Sequence, residues 1–164
     1  MVRLVKNDDA SAICAIYNHY IRETTITFEE APISIHEGER RIREISAAYP
    51  WFVYEDEDGV LGYAYLNKWK ERSAYRFSAE TTVYVKNGYA GRGIGTELYN
   101  CLTEAARKTA IHALVAGIAL PNKKSVALHK KFGFKKIAQF NEVGFKQGKW
   151  LNVGYWELII SKDD

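Results

Sequence analysis

The segment from Thr82 to Leu98, Thr-Val-Tyr-Val-Lys-Asn-Gly-Tyr-Ala-Gly-Arg-Gly-Ile-Gly-Thr-Glu-Leu, constrains this chain more than any other. It begins as a β-branched and aromatic run and passes through Gly91, Gly93 and Gly95 at every second position. It then opens directly into an amphipathic helical pattern. The first N–H groups of a helix have no partner within it and carry the positive end of its dipole, so they suit a phosphate. Glycine lets that phosphate approach the backbone with no Cβ in the way. Gly91, Arg92, Gly93, Ile94, Gly95 and Thr96 therefore read as a diphosphate cradle. A dinucleotide loop of the G-x-G-x-x-G type is a poor match, because Thr96 stands where the third glycine belongs. A nucleotide P-loop needs a lysine after its last glycine, and none follows Gly93 or Gly95. The plain alternative is a glycine-rich turn that only joins a strand to a helix.

A chain of 164 residues is most simply one domain, here taken as residues 1–164, and is long enough to bury a core without disulfides. The formal charge of +3 gives no reason to expect a nucleic-acid partner. Cys14 and Cys101 lie far apart within helical patterns and read as small core residues, so neither a metal site nor a disulfide is expected. The first residues form a short strand pattern and not a signal peptide, and no apolar run approaches the ~20 residues of a membrane span. A soluble, cytoplasmic protein is expected.

Hydrophobic periodicity divides the chain into elements. Val2–Val5 reads as a strand. Asp8 or Asp9 caps a helix with Ile13, Ile16, Tyr17, Tyr20 and Ile21 on one face. Thr24–Glu29 is a loop or short strand. Ser34-Ile35-His36-Glu37 has the form of a capping box and starts a helix that ends before Pro50. Trp51–Tyr54 and Val60–Leu66 form a hairpin, and Phe77–Val85 is a long strand. A helix follows from Gly93 to about Lys108. Leu114–Ala119 is unbroken in its apolar character, which predicts burial on both faces. Ser125–Lys131 is a short helix stopped by Gly133. Phe134–Phe140, Val143–Lys146 and Trp150–Ile160 are late strands. The expected order is β-α-α-β-β-β-α-β-α-β-β, an α/β fold with a mixed, mostly antiparallel sheet and one crossover after the cradle.

Strand, glycine cradle, helix and strand, followed by Asn122-x-x-Ser125 and Leu128-His129-x-x-x-Gly133-Phe134, resemble the GNAT superfamily of N-acetyltransferases. Gly93 and Gly95 match the family cradle, while Ala90 stands where Gln or Arg is usual. Nearly the whole chain is similar to the phosphinothricin N-acetyltransferases within that superfamily. The matching segments are Ile16–Ile21, Tyr49-Pro50-Trp51, Trp69–Tyr75, Glu80–Val85, Leu120-Pro121-Asn122 and Gly144-x-Lys146-x-Gly148-x-Trp150. Relatives of this kind also acetylate methionine sulfoximine and methionine sulfone.

The resemblance implies the GNAT fold, acetyl-CoA as donor, and transfer of the acetyl group to a primary amine of a small molecule. It implies that the cradle holds the CoA diphosphate, that Val83, Tyr84 and Val85 lie along the cofactor, with an N–H near Val83 stabilising the thioester oxygen, and that Asn122 and Ser125 meet the pantetheine arm. Glu80 is the candidate base, because the alternation Glu80, Thr82, Tyr84 puts it on the face of the strand that leads into the cradle. Its plain alternative is a surface carboxylate or an ion pair with Arg76. His129 occupies the place where many relatives carry a tyrosine general acid; packing or capping is the alternative. Lys70, Arg72, Tyr75 and Arg76, with Thr82 and Phe28, are the candidate acceptor-binding residues, since Arg recognises carboxylates with two parallel bonds; a solvated charged loop is the alternative for Lys70-Glu71-Arg72. The lysines at 123, 124, 130, 131, 135 and 136 either approach the 3′-phosphate of CoA or form a solvated face. A homodimer is expected by resemblance alone. Two rivals are an acetyltransferase for a polyamine or protein amine, and a CoA-binding regulatory domain without turnover.

Overall fold

The computed structural model describes residues 1–160. The elements are β1 (Val2–Leu4), α1 (Ala10–Glu23), α2 (Ile35–Ser46), β2 (Trp51–Asp56), β3 (Gly59–Lys68), β4 (Ser78–Val85), α3 (Ile94–Arg107), β5 (Ala113–Leu120), α4 (Lys123–Lys131), β6 (Lys135–Lys146) and β7 (Lys149–Ile159), with single 3-10 turns at Asn7–Asp9 and Ser73–Tyr75. The strands form one sheet in the order β1-β2-β3-β4-β5-β7-β6. Every neighbouring pair is antiparallel except β4 and β5, which α3 joins as parallel strands. No helix among the described residues is long and apolar enough to cross a membrane.

The β4–β5 pairing is the feature that makes a site. The two strands pair only at Ser78–Ala113, Ala79–Leu114 and Glu80–Val115. Beyond that point β4 runs on to Val85 and β5 to Leu120 without touching, and the sheet splits into a V. Each outer strand stays locked to its own neighbour, β4 to β3 and β5 to β7, so the inner edges of the V keep unpaired backbone groups.

Two clusters hold the halves. Under α3, Ala64, Leu66 and Ala79 from the sheet meet Leu98, Leu102 and Ala106 from the helix, all without solvent contact. Each buried leucine contributes on the order of 1.5–3 kcal/mol. On the opposite face, Ile13, Ile16 and Ile42 of α1 and α2 cover Trp51, Val53 and Tyr63, with Tyr17, Tyr20, Tyr65 and Tyr84 packed around them.

Several sequence expectations change. Asp9 does not cap α1 with its side chain; the carboxylate accepts both terminal nitrogens of Arg3 at 2.8 Å and the N–H of Lys6 at 2.7 Å. Only half of the capping box forms at α2. Ser34 Oγ accepts the Glu37 N–H at 3.1 Å, but the Glu37 carboxylate is taken by Arg40 and Arg41. The helix at 123–131 is capped by Asn122 and not started by Ser125, because the Asn122 side chain accepts the Ser125 N–H at 3.1 Å. The two late segments before residue 147 are one strand, β6, whose register slips between Phe140 and Gly144. Finally, β5 is not sealed on both faces: Gly117 is exposed, because its strand has lost β4 at that level.

Candidate active site

The V between β4 and β5 is a cleft of about 670 Å³ that passes through the sheet. Glu80 sits at its vertex, Val83 and Val85 run along one lip, Ile118 and Ala119 along the other, and Gly91, Gly93, Gly95 and Thr96 close the wide end. Asn122, Ser125 and His129 line it from the far side.

Local sequence explains the wide end. Gly91 and Gly93 have φ of 86° and 84°, a left-handed conformation that a side chain disfavours, and Gly93 is the N-cap residue of α3. At Gly95 a Cβ would stand 3.2 Å from Leu128, so the glycine lets α4 close on the start of α3. The fourteen-residue helix α3 thus starts at the cleft with no side-chain cap at Gly93, which leaves its first N–H groups available there. Lys131 donates to Thr96 Oγ1 at 3.3 Å, and Lys124 also borders the cleft. Of the six clustered lysines, then, Lys131 touches the cradle and Lys124 borders the cleft.

The backbone of β4 has a defined polarity. Lys86 donates its N–H to Leu61 of β3 at 2.8 Å, and along an antiparallel strand successive residues turn their main-chain groups to opposite sides. Val83 and Val85 consequently face the cleft. Tyr20 of α1 already donates its hydroxyl to the Val85 carbonyl at 2.6 Å. The Val83 N–H points into the V, three residues from Glu80.

Glu80 shares its face with Thr82 and Tyr84, and stands opposite Asn67 of β3. Burial raises its pKa, and the positive charge of Lys70 opposes that rise. The ion pair with Arg76 does not form: the Arg76 guanidinium lies over the Phe77 ring and donates to the Ser73 carbonyl at 3.1 Å. A half-buried carboxylate without a partner among the described residues, beside a strand edge with N–H groups facing the cleft, is equipped to take a proton.

Other expected site residues lie outside the cleft lining. Ile94 is buried beneath Gly62 in the α3 core. Arg92 lies over the Tyr89 ring at 4.5 Å, and Tyr89 donates its hydroxyl to Asp58 at 3.1 Å. Lys70, Arg72, Tyr75 and Arg76 form the exposed loop leading to β4, where Tyr75 meets Trp69 edge to face at 5.1 Å. Phe28 packs on Gly144, where a Cβ would come within 2.5 Å of the ring. That contact joins the α1–α2 loop to the β6–β7 hairpin. Lys146 reinforces it by donating to the Thr27 carbonyl at 2.8 Å. Sequence reasoning missed Thr81, Tyr99, Tyr20 and Ile26, which also line the cleft. Thr81 and Tyr99 carry no local signal, because each looks like a core position on its own element.

Residues 2–153 match the model of the acetyltransferase (GNAT) domain. A phosphinothricin N-acetyltransferase of Streptomyces viridochromogenes is 37% identical over 91% of this chain and 81% of its own length. An L-methionine sulfoximine/L-methionine sulfone acetyltransferase of Salmonella typhimurium is 32% identical over 98% and 95%. Among solved structures, a GNAT superfamily phosphinothricin acetyltransferase from Sinorhizobium meliloti, in complex with AcCoA, superposes with a TM-score of 0.94 at 31% identity over 98% of this chain and 88% of that one. A ribosomal-protein-alanine N-acetyltransferase from Brucella melitensis gives 0.94 at 32% identity over 98% and 99%. With the split sheet, the glycine-capped α3 and the carboxylate at the vertex, these matches make the chain a member of the GNAT family of acetyltransferases.

Proposed function

We propose that this chain acetylates the primary amine of a small amino-acid analogue of the phosphinothricin or methionine sulfoximine type, with acetyl-CoA as donor and Glu80 as base. The carrying observation is the half-buried Glu80, without a partner among the described residues, at the point where β4 leaves β5. The α3 N-terminus with Thr96 and Lys131 would hold the CoA diphosphate, and the free edge of β4 the pantetheine arm. Glu80 removes a proton from the ammonium, directly or through one water, and the Val83 N–H donates to the thioester oxygen as it gains charge.

Charge accounting supports an anionic acceptor. Arg40 and Arg41 are engaged by Glu37, Glu44 and Glu29, and Lys68 by Glu71. Lys70, Arg72 and Arg76, in the loop before Glu80, have no carboxylate within ion-pair distance among the described residues. A substrate carboxylate is the natural partner for such a loop. The chain works in the cytoplasm, in keeping with its two free cysteines, and as a homodimer. Exposed Phe140, Val143, Phe145 and Trp150 along the edge strand β6 and its hairpin favour a dimer, since aromatic rows on an edge seek cover. A monomer in light scattering at working concentration would remove that part of the reading.

The test is CoA release from acetyl-CoA with phosphinothricin, methionine sulfoximine, methionine sulfone, glutamate, spermidine and an alanine-ended peptide. Fast release with the first two supports the proposal. Release confined to the peptide would move the acceptor to a protein N-terminus. Release confined to spermidine would exclude an anionic acceptor.

A further inference from the structure

The strands β6 and β7 belong to the half of the split sheet that contains β5, whereas α1, α2 and the loop between them cover the half that contains β4. As strands, the two halves pair only at the vertex of the V. Past Phe140 the β6–β7 hairpin leaves its own half. Asn141, Glu142 and Val143 together stand opposite Asn152 alone. Glu142 has a φ of 54°, and the Asn152 side chain accepts its N–H at 2.8 Å. A bulge of this kind bends its strand. The end of β6 thereby reaches the α1–α2 loop on the other half.

Three contacts are made there. Phe28 lies against Gly144, Gln147 Nε2 donates to the Arg22 carbonyl at 3.2 Å, and Lys146 Nζ donates to the Thr27 carbonyl at 2.8 Å. Lys146 is 4% exposed and Thr27 7%. An ammonium has three protons to donate, yet Lys146 forms no ion pair among the described residues, and Glu30 acts on it only at longer range. An apolar side chain of similar volume would fill the same space without taking a charge out of water, so packing alone does not account for a lysine here. What the lysine adds is a proton for a main-chain carbonyl of the facing loop. That loop runs along the face of β4 that carries Glu80, Thr82 and Tyr84. Thr27 Oγ1 lies 2.8 Å from Tyr17 Oη, and Tyr17 meets Tyr84 edge to face at 5.1 Å. Ile26 of the same loop lines the cleft.

We propose that Lys146 is a positioning residue for the acceptor: through the Thr27 carbonyl it ties one half of the split sheet to the other and fixes the loop from Thr24 to Glu30 beside Glu80. This rests on the cleft being the acyl-transfer site. An amine that loses its proton to Glu80 meets the carboxylate on this face, beside the loop. The glycine cradle belongs to the start of α3, which packs on the opposite face and makes none of these contacts. Binding of the amine, and not of the cofactor, should therefore depend on the tie.

Lys146→Met keeps most of the stem and removes the donor. The amine KM should rise roughly tenfold, with KM for acetyl-CoA within about twofold and kcat within about threefold of wild type. Amide exchange should quicken in residues 24–30 and not in α3. A variant that melts near wild type with its amine KM unmoved, or with both KM values raised alike, overturns the proposal. Gly144→Ala presses on the far end of the Phe28 ring and leaves Lys146 in place. It should raise the amine KM by about threefold, and an unmoved amine KM overturns the proposal whether or not the methionine variant folds. Reductive methylation of the unmutated protein, read by peptide mass spectrometry, tests the bond itself. Lys146 should react roughly tenfold more slowly than the exposed Lys130 and Lys149, and equal rates overturn the tie. A wild-type protein that transfers acetyl to no amine would strike at the reading of the cleft. An active wild type whose amine KM ignores Lys146→Met would strike at the tie alone.

Discussion

The face of the sheet under α3 is built from Ala64, Leu66, Leu98, Leu102 and Ala106, whereas the face under α1 and α2 is built around Trp51, Tyr63, Tyr65, Tyr84, Tyr17 and Tyr20. The first is mostly aliphatic directly under α3, with Tyr99, Phe134 and Trp156 in the same cluster. The second carries hydroxyls and an ion-pair network in which Arg41 holds Glu29 through two bonds of 2.6 and 2.8 Å and Tyr17 donates to the same carboxylate. The division matches the work of each face. The α3 side keeps a helix N-terminus rigid beside a strand edge, which needs dense packing. The other side surrounds Glu80, Thr82 and the loops an acceptor would meet, and polar groups there give selectivity.

Substitutions should separate the two faces. The largest effect is expected at Glu80→Gln, with kcat reduced on the order of 10²- to 10⁴-fold and the melting temperature nearly unchanged. Because burial raises the Glu80 pKa, the rate should fall on the acid side at a higher pH than for an exposed carboxylate. Loss of less than about fivefold would mean that another group, or bulk water, takes the proton.

Leu98→Ala strikes the opposite face and should act on stability instead. Leu98 is fully buried, so about 2–5 kcal/mol should be lost in denaturant unfolding, with turnover of the folded fraction preserved. Equal losses of stability from Leu98→Ala and Tyr63→Phe would erase the contrast between the faces.

Gly93→Ala tests the hinge between β4 and α3. Space is open at that position, so the cost comes from the φ of 84° alone, about 1–2 kcal/mol. We expect KM for acetyl-CoA to rise by roughly tenfold while KM for the amine stays put. Movement of the amine KM alone would detach the glycine loop from the cofactor.

The smallest effect is the response to acid. Hydrogen bonding to Arg41 lowers the Glu29 pKa against the opposing effect of burial. A carboxylate lowered in the folded state adds stability above its unfolded value and loses it as pH falls through the folded one. Below the ordinary value of 4.5, then, the tyrosine-rich face should loosen before the aliphatic one. Near-ultraviolet circular dichroism of the tyrosines, compared with hydrogen exchange of α3 amides, would detect the order. Simultaneous loss of both signals, or Arg41→Met leaving the acid midpoint unchanged, would show that the ion pair does not set it.

Much of this was legible in residues that act locally. The glycines of the cradle, the alternation that puts Glu80, Thr82 and Tyr84 on one face, and the element order follow from backbone sterics and periodicity, which neighbouring residues settle among themselves. Capping was less legible, because charged side chains choose among distant partners. Arg3 claimed Asp9, and Arg40 and Arg41 claimed Glu37. The expected burial of both faces of β5 holds up to Ala116 and fails at Gly117 for a similar reason: an apolar run shows what a strand tolerates and not whether its neighbour leaves it.

The sequence by itself determined that a strand would feed a glycine-capped helix and that a carboxylate would stand on the strand before it. Only the tertiary structure decided that β4 and β5 part after Glu80, which turns that carboxylate into the vertex of a cleft. It also joined Thr81, Tyr99 and His129, which lie on three separate elements and are 18 and 30 residues apart. Hydrogen bonds of this kind depend on where whole elements dock, and no short-range pattern encodes that.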